Sequence, residues 1–186
     1  TDVGILIQTF IPTAAPVSVV CGKKSYPMEL EDEAGFFAAL IPGKRIPSYT
    51  LQVTFDSGDT VCWQDPYAFE PQITEKEQKR FKAGICYDIY EKLGAHPMTV
   101  KGIPGVYFAV WAPNAMRVSL VGDFNLWDGR RLPMRRLPDS GIFELFVPGL
   151  SAGTLYKYEI KAKNGLVFLK ADPYANETEE SPGTAS

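Results

Sequence analysis

Apolar and polar residues alternate over most of this chain. Tyr49, Leu51, Val53 and Phe55 alternate with Thr50, Gln52 and Thr54, and Tyr156, Tyr158 and Ile160 alternate with Lys157, Glu159 and Lys161. Val106, Phe108 and Val110 form a third such face ahead of Trp111, and Phe143, Leu145 and Val147 repeat the spacing of Phe37, Ala39 and Ile41. A period of two is that of a strand with one buried side. Asn164-Gly165 is a strong hairpin signal, and Ser57-Gly58 stands in the same place earlier in the chain. One stretch departs from the period. Between Ile73 and Gly84, Thr74 with Glu77 three residues on makes a capping box, and Gly84 is placed to end a helix. The pattern predicts about six or seven short strands on either side of one short helix.

The two sides repeat each other. Pro27-Met28, Gly35-Phe36-Phe37 and Ile41-Pro42-Gly43 recur as Pro133-Met134, Gly141-Ile142-Phe143 and Val147-Pro148-Gly149. Tyr49, Gly58 and Asp65-Pro66-Tyr67-Ala68 recur as Tyr156, Gly165 and Asp172-Pro173-Tyr174-Ala175. Upstream, Gly4, Pro12, Ala14, Val17, Ser18 and Val20 match Gly105, Pro113, Ala115, Val118, Ser119 and Val121. The offset grows from 101 to 106 between Val121 and Pro133, so the second copy carries five extra residues there. The fold class that follows is all-β: two tandem immunoglobulin-like β-sandwiches joined by a short helix. Residues 1–72 are expected to form the first sandwich, without its opening segment, 73–86 the linking helix and 87–175 the second sandwich. The polar tail 176–186 is expected to be a linker.

A residue held in both copies belongs to the fold; one private to a copy is the better candidate for function. The two Asp-Pro-Tyr-Ala motifs are therefore expected to be structural turns. Trp111, opposite Phe10 in the alignment, is expected in the core. Trp63 aligns with Lys170 and is private to copy 1. His96 has no second histidine and no suitable cysteine near it and is expected to be a hydrogen-bonded structural residue. The insertion lies in Val121-Gly-Asp-Phe-Asn-Leu-Trp-Asp-Gly129, where Gly122, Asp123, Asn125, Asp128 and Gly129 are turn formers around two large aromatics. A tryptophan there is either pinned beneath the loop or offered to a ligand. A flat indole suits the C–H face of a pyranose, and short polar side chains suit its hydroxyls.

Composition narrows the classes further. A net charge of −3 and no basic face beyond Arg130, Arg131, Arg135 and Arg136 argue against nucleic acid as a partner. No apolar run is long enough to cross a membrane. Cys21, Cys62 and Cys86 are odd in number and have no metal-like spacing, so free thiols in a reducing, cytoplasmic compartment are expected, with no metal and no cofactor. The start, Thr1-Asp2-Val3, lacks a methionine, as expected at a processing boundary.

Tyr90-Glu-Lys-Leu-Gly-Ala-His-Pro97, Phe108-Ala-Val-Trp-Ala-Pro-Asn-Ala115, Val118-Ser-Leu-Val-Gly-Asp-Phe-Asn-Leu-Trp-Asp-Gly129, Pro133-Met134 and Leu155-Tyr-Lys-Tyr158 resemble the N-terminal region of bacterial glycogen branching enzymes, the 1,4-α-glucan branching enzymes. That resemblance implies a first β-sandwich, then a carbohydrate-binding module of family 48, then a catalytic (β/α)8 barrel. Such a barrel needs about 250 residues, and its two catalytic carboxylates have no counterpart here, so no catalytic residue is expected in this chain. By resemblance to related modules, Trp127 and Lys157 are carried over as glucan contacts, with Asn125 in the same loop as a further candidate. The implied partners are α-glucan, as glycogen or maltooligosaccharides, and the parent's barrel. Three roles compete: a glucan-binding module, a pair of bracing domains with little affinity of their own, and an unrelated adhesion domain. The unpaired cysteines and the resemblance oppose the third.

Overall fold

The alternating segments become strands because each can bury one row of side chains only by pairing within a sheet and facing a second sheet. The computed structural model describes residues 4–12, 15–55 and 57–186; Ala14, aligned above with Ala115, and residues 1–3 lie outside them. The chain divides into two compact units, Thr1–Ala68 and Phe69–Ser186. The first holds β1 (Gly4–Phe10), β2 (Ala15–Cys21), β3 (Lys24–Pro27), β4 (Glu29–Asp32), β5 (Phe36–Pro42), β6 (Thr50–Thr54) and β7 (Thr60–Trp63). The second holds α1 (Glu75–Lys82), β8 (Gly94–Val100), β9 (Ile103–Trp111), β10 (Ala115–Val121), β11 (Arg135–Arg136), β12 (Ile142–Pro148), β13 (Lys157–Ala162) and β14 (Val167–Lys170).

Each unit is a sandwich of two antiparallel sheets. Unit 1 stacks β1-β5-β4 on β3-β2-β6-β7, and unit 2 stacks β11-β12-β9-β8 on β10-β13-β14. Ile7, Phe37 and Ile41 from one sheet meet Val17, Val19, Leu51 and Val53 from the other in unit 1; Val106, Phe108, Phe143 and Leu145 meet Val118, Leu120 and Tyr158 in unit 2. The repeat read in the sequence is a repeat of hydrogen bonds. Met28 N donates to Val17 O and Met134 N to Val118 O, both at 2.8 Å; Ile11 N donates to Gly35 O at 2.7 Å and Ala112 N to Gly141 O at 3.0 Å. The Asp-Pro-Tyr-Ala motifs act as structural turns in both. Tyr49 Oη donates to Asp65 at 2.5 Å and Tyr156 Oη to Asp172 at 2.6 Å, while the amides of Tyr67 and Tyr174 donate to the other carboxylate oxygen. Burial pushes the Asp65 carboxyl above its usual range, although both hydrogen bonds act the other way.

The helix forms where the capping box stood. Thr74 Oγ1 accepts from Glu77 N at 3.3 Å, and the Glu77 carboxylate accepts from Thr74 N at 2.7 Å. The helix belongs to unit 2 and is not a free connector. Phe69, Ile73 and Leu93 cover the outer face of β9 and β12, against Tyr107, Ala109, Ile142 and Phe146. Beneath them Glu144, 1% exposed, accepts from Tyr107 Oη at 2.9 Å, Gln72 N at 2.9 Å and Arg135 Nη1 at 3.2 Å. Residues 69–72, expected with the first sandwich, thus lie in unit 2.

Two further expectations change. Trp111 is not a core residue: it lies on the outer face at the end of β9, 53% exposed, with Nε1 donating to Ser140 O at 3.1 Å and its ring edge-on to Phe81 of α1. The tail, expected as a linker, packs on unit 2. Ser186 and Tyr156 exchange both backbone hydrogen bonds at 3.0 Å, and Ser186 Oγ accepts from Asp172 N at 2.8 Å. Among the described residues, no helix is long and apolar enough to cross a membrane.

Candidate functional site

The insertion sits where the two copies differ in how one strand turns back. In unit 1, β2 passes through Gly22-Lys23 into β3, which pairs with it from Cys21↔Lys24 to Ser18↔Pro27. In unit 2 the returning strand is reduced to one bridge, Ser119↔Pro133, at the equivalent position. From Gly122 to Leu132 no strand forms.

That loop is held from inside. Asp123–Asn125 form a single 3-10 turn. Asn125, 5% exposed, accepts from Gly122 N at 3.0 Å and donates to Leu120 O at 2.9 Å. Both ends of its amide are used within the loop, so Asn125 does not stand at a rim as its position in the sequence suggested. Gly122 is required by space: its backbone is extended, but a Cβ would stand 2.6 Å from Leu155 O and would also strike the Phe124 ring. At Gly129 the space a Cβ would take is filled by the Glu159 carboxylate, the movable end of a side chain. Asp128 closes the far side, accepting from Arg130 N at 3.0 Å and Nη2 at 2.8 Å; these hydrogen bonds hold its carboxyl below the usual range.

Leu126 and Trp127 follow the turn in the left-handed region, at φ 58° and 57°. Two consecutive non-glycine residues there cost on the order of 1 kcal/mol each, offset by the bonds on either side. The result lifts two apolar side chains off the surface, with Leu126 74% and Trp127 38% exposed. The Trp127 indole N–H is turned back to Asp123 Oδ1 at 2.7 Å, so its one polar atom is satisfied within the loop and its ring is left to other contacts. Lys157, the first residue of β13 and opposite Val121, places Nζ 5.9 Å from the centroid of that ring. The same ammonium donates to Thr184 Oγ1. Trp127 and Lys157 are therefore brought together, and Asn125 lies beneath them as a brace. Leu126 was missed; an apolar residue between two turn formers and a tryptophan was the available signal. Trp63 packs half-buried against the core of unit 1, and His96 Nε2 lies 2.9 Å from Leu93 O.

Residues 92–175 match the family model of carbohydrate-binding module 48, the isoamylase N-terminal domain, and residues 1–67 match that of the N-terminal domain of the α-1,4-glucan branching enzyme GlgB. The chain is 46% identical over 183 residues to the 1,4-alpha-glucan branching enzyme GlgB of Thermosynechococcus vestitus, covering 97% of this chain and 24% of that protein. It is also 46% identical over 184 residues to the corresponding enzyme of Rubrobacter xylanophilus, covering 97% and 25%. The chain belongs to the N-terminal region of the 1,4-α-glucan branching enzyme family. It spans about a quarter of the length of these branching enzymes. Among solved structures, a pullulanase from Anoxybacillus sp. LM18-11 complexed with maltotetraose aligns at 21% identity and a TM-score of 0.43, over 97% of this chain and 24% of that one. Within this chain the carbohydrate-binding-module match includes the whole of the Gly122–Gly129 loop and Lys157.

Proposed function

We propose that unit 2 binds α-1,4-glucan, as glycogen or a maltooligosaccharide, on the surface made by Trp127 and Lys157, and that it holds the chain for branching by a catalytic barrel elsewhere in the parent enzyme. The observation that carries this reading is the pairing of an exposed indole, its N–H already satisfied by Asp123, with an ammonium beside the ring. A pyranose can stack its C–H face on the indole while its hydroxyls accept from Lys157 Nζ. Leu126 extends the apolar surface at the side of the ring. Asn125, Gly122 and Asp128 act by fixing the loop. The match of residues 92–175 to carbohydrate-binding module 48 supports the ligand class.

A second reading is that the two sandwiches brace the barrel and bind little glucan themselves. The Lys157–Thr184 hydrogen bond favours it, because it gives the ammonium a structural partner. Calorimetric titration with maltoheptaose separates the two. The binding reading expects saturable binding that Trp127→Ala weakens most and Lys157→Ala weakens less, with unchanged circular dichroism. No heat above dilution for the unaltered chain selects the bracing reading.

A further inference from the structure

The two units treat the same sheet face differently. In unit 2 the outer face of β9 and β12 presents Tyr107 opposite Phe146 and Ala109 opposite Glu144, all 3% exposed or less beneath residues 69–100. The equivalent face of unit 1 presents Leu6 opposite Leu40 and Gln8 opposite Ala38. There Leu6 is 58% and Leu40 69% exposed. The sheet edge differs in the same way. In unit 2, β8 pairs with β9 from Gly94↔Ala109 to Val100↔Ile103, through a Lys101-Gly102 turn with both residues at positive φ. In unit 1, β1 ends its sheet, and among the described residues no strand pairs with its other edge.

Free edges in folded proteins are normally blunted by charge, proline or a bulge. Among the other edge strands of unit 1, β7, Thr-Val-Cys-Trp, is also uncharged, but β4, Glu-Leu-Glu-Asp, is acidic and bulged between Leu30 and Asp32, and β3 carries Lys24 and Pro27. By contrast β1, Gly-Ile-Leu-Ile-Gln-Thr-Phe, has no charge and no proline. An unguarded edge beside an exposed leucine pair is a surface made to be covered.

We propose that unit 1 is completed by an added strand antiparallel to β1, the counterpart of β8, on a segment that lays apolar side chains over Leu6 and Leu40 as Phe69, Ile73 and Leu93 do in unit 2. Its source is further polypeptide of the same protein; the branching enzymes it resembles extend well beyond the matched region. A second copy of this chain fits less well: joining two β1 edges satisfies the backbone but leaves Leu6 and Leu40 in water.

The test attaches a duplicate of residues 69–102 ahead of Gly4 and follows amide exchange by NMR. Exchange of the β1 amides should slow at least tenfold, with new contacts to the Leu6 and Leu40 methyls. Leu6→Asp in the extended chain should abolish the slowing and leave unit 2 unchanged. Unaltered β1 exchange in the extended chain overturns the proposal. So does slowing that survives Leu6→Asp, or β1 protection in the unextended chain that rises with protein concentration, which would assign the edge to a second copy.

Discussion

The Gly22-Lys23 turn of unit 1 and the 122–132 loop of unit 2 solve the same problem with different lengths of chain. Both return a strand to one position, Ser18↔Pro27 in the first and Ser119↔Pro133 in the second. The amide that follows makes the same 2.8 Å bond in each, Met28 N to Val17 O and Met134 N to Val118 O. The fold therefore needs only the short connection. The longer one adds an internally braced loop with two strained residues and an exposed indole, features that packing alone does not explain. Strain confined to one copy of a repeat points to a role outside the fold.

This comparison can be broken most sharply outside the loop, at Glu144, where copy 1 has Ala38. Making the copies alike there with Glu144→Ala strips Tyr107 Oη, Gln72 N and Arg135 of a buried acceptor. It should lower the stability of unit 2 by about 3 kcal/mol, read from chemical denaturation, while unit 1 is unaffected. Gly122→Ala comes next. The new methyl has to displace Phe124 or the Leu155 carbonyl, at about 1–3 kcal/mol, read from the thermal midpoint. The equivalent change at Cys21 of copy 1, Cys21→Ala, should be close to neutral. Trp127→Ala should leave the midpoint nearly unchanged and weaken maltoheptaose binding by about 1–3 kcal/mol, by analogy with loss of a base stack.

The smallest effect is one of pH. Asp128 titrates below its unfolded value because Arg130 hydrogen-bonds the ionised form. A depressed folded value gives stability that is complete above the unfolded value of about 3.9 and is lost as pH falls through the folded one. Trp127 emission should then be flat from neutrality to about pH 4 and change only below it. In Asp128→Asn that change should be absent.

Much of this was legible because it is local or repeated. Alternation of Tyr156, Tyr158 and Ile160 with charged residues names β13, and Thr74 with Glu77 names the start of α1. Recurrence of Gly35-Phe36-Phe37 as Gly141-Ile142-Phe143 fixes the common topology. What was not legible depends on what covers a face. Glu144 alternates like an outward residue but is buried, because residues 69–73 come back over it. Trp111 occupies a strand position like Phe10, yet it meets Phe81 of α1, which has no counterpart among the described residues of copy 1. The tail has no periodicity and is fixed by backbone bonds to Tyr156, which composition cannot show. At the candidate site, the sequence singled out the loop that differs between the copies, and the structure places Trp127 of that loop beside Lys157. Whether an asparagine faces in or out depends on the turn around it, and Asn125 turned in.

The central claim is that the loop carries the function and the rest of copy 2 carries the fold. Replacing residues 122–132 by residues 21–26, which lead to the equivalent proline in copy 1, tests both halves in one molecule. Maltoheptaose titration and a thermal melt of this chimera should give no measurable binding together with a single cooperative, somewhat lowered transition for unit 2. Binding at the affinity of the unaltered chain, or loss of the cooperative transition, would contradict the account.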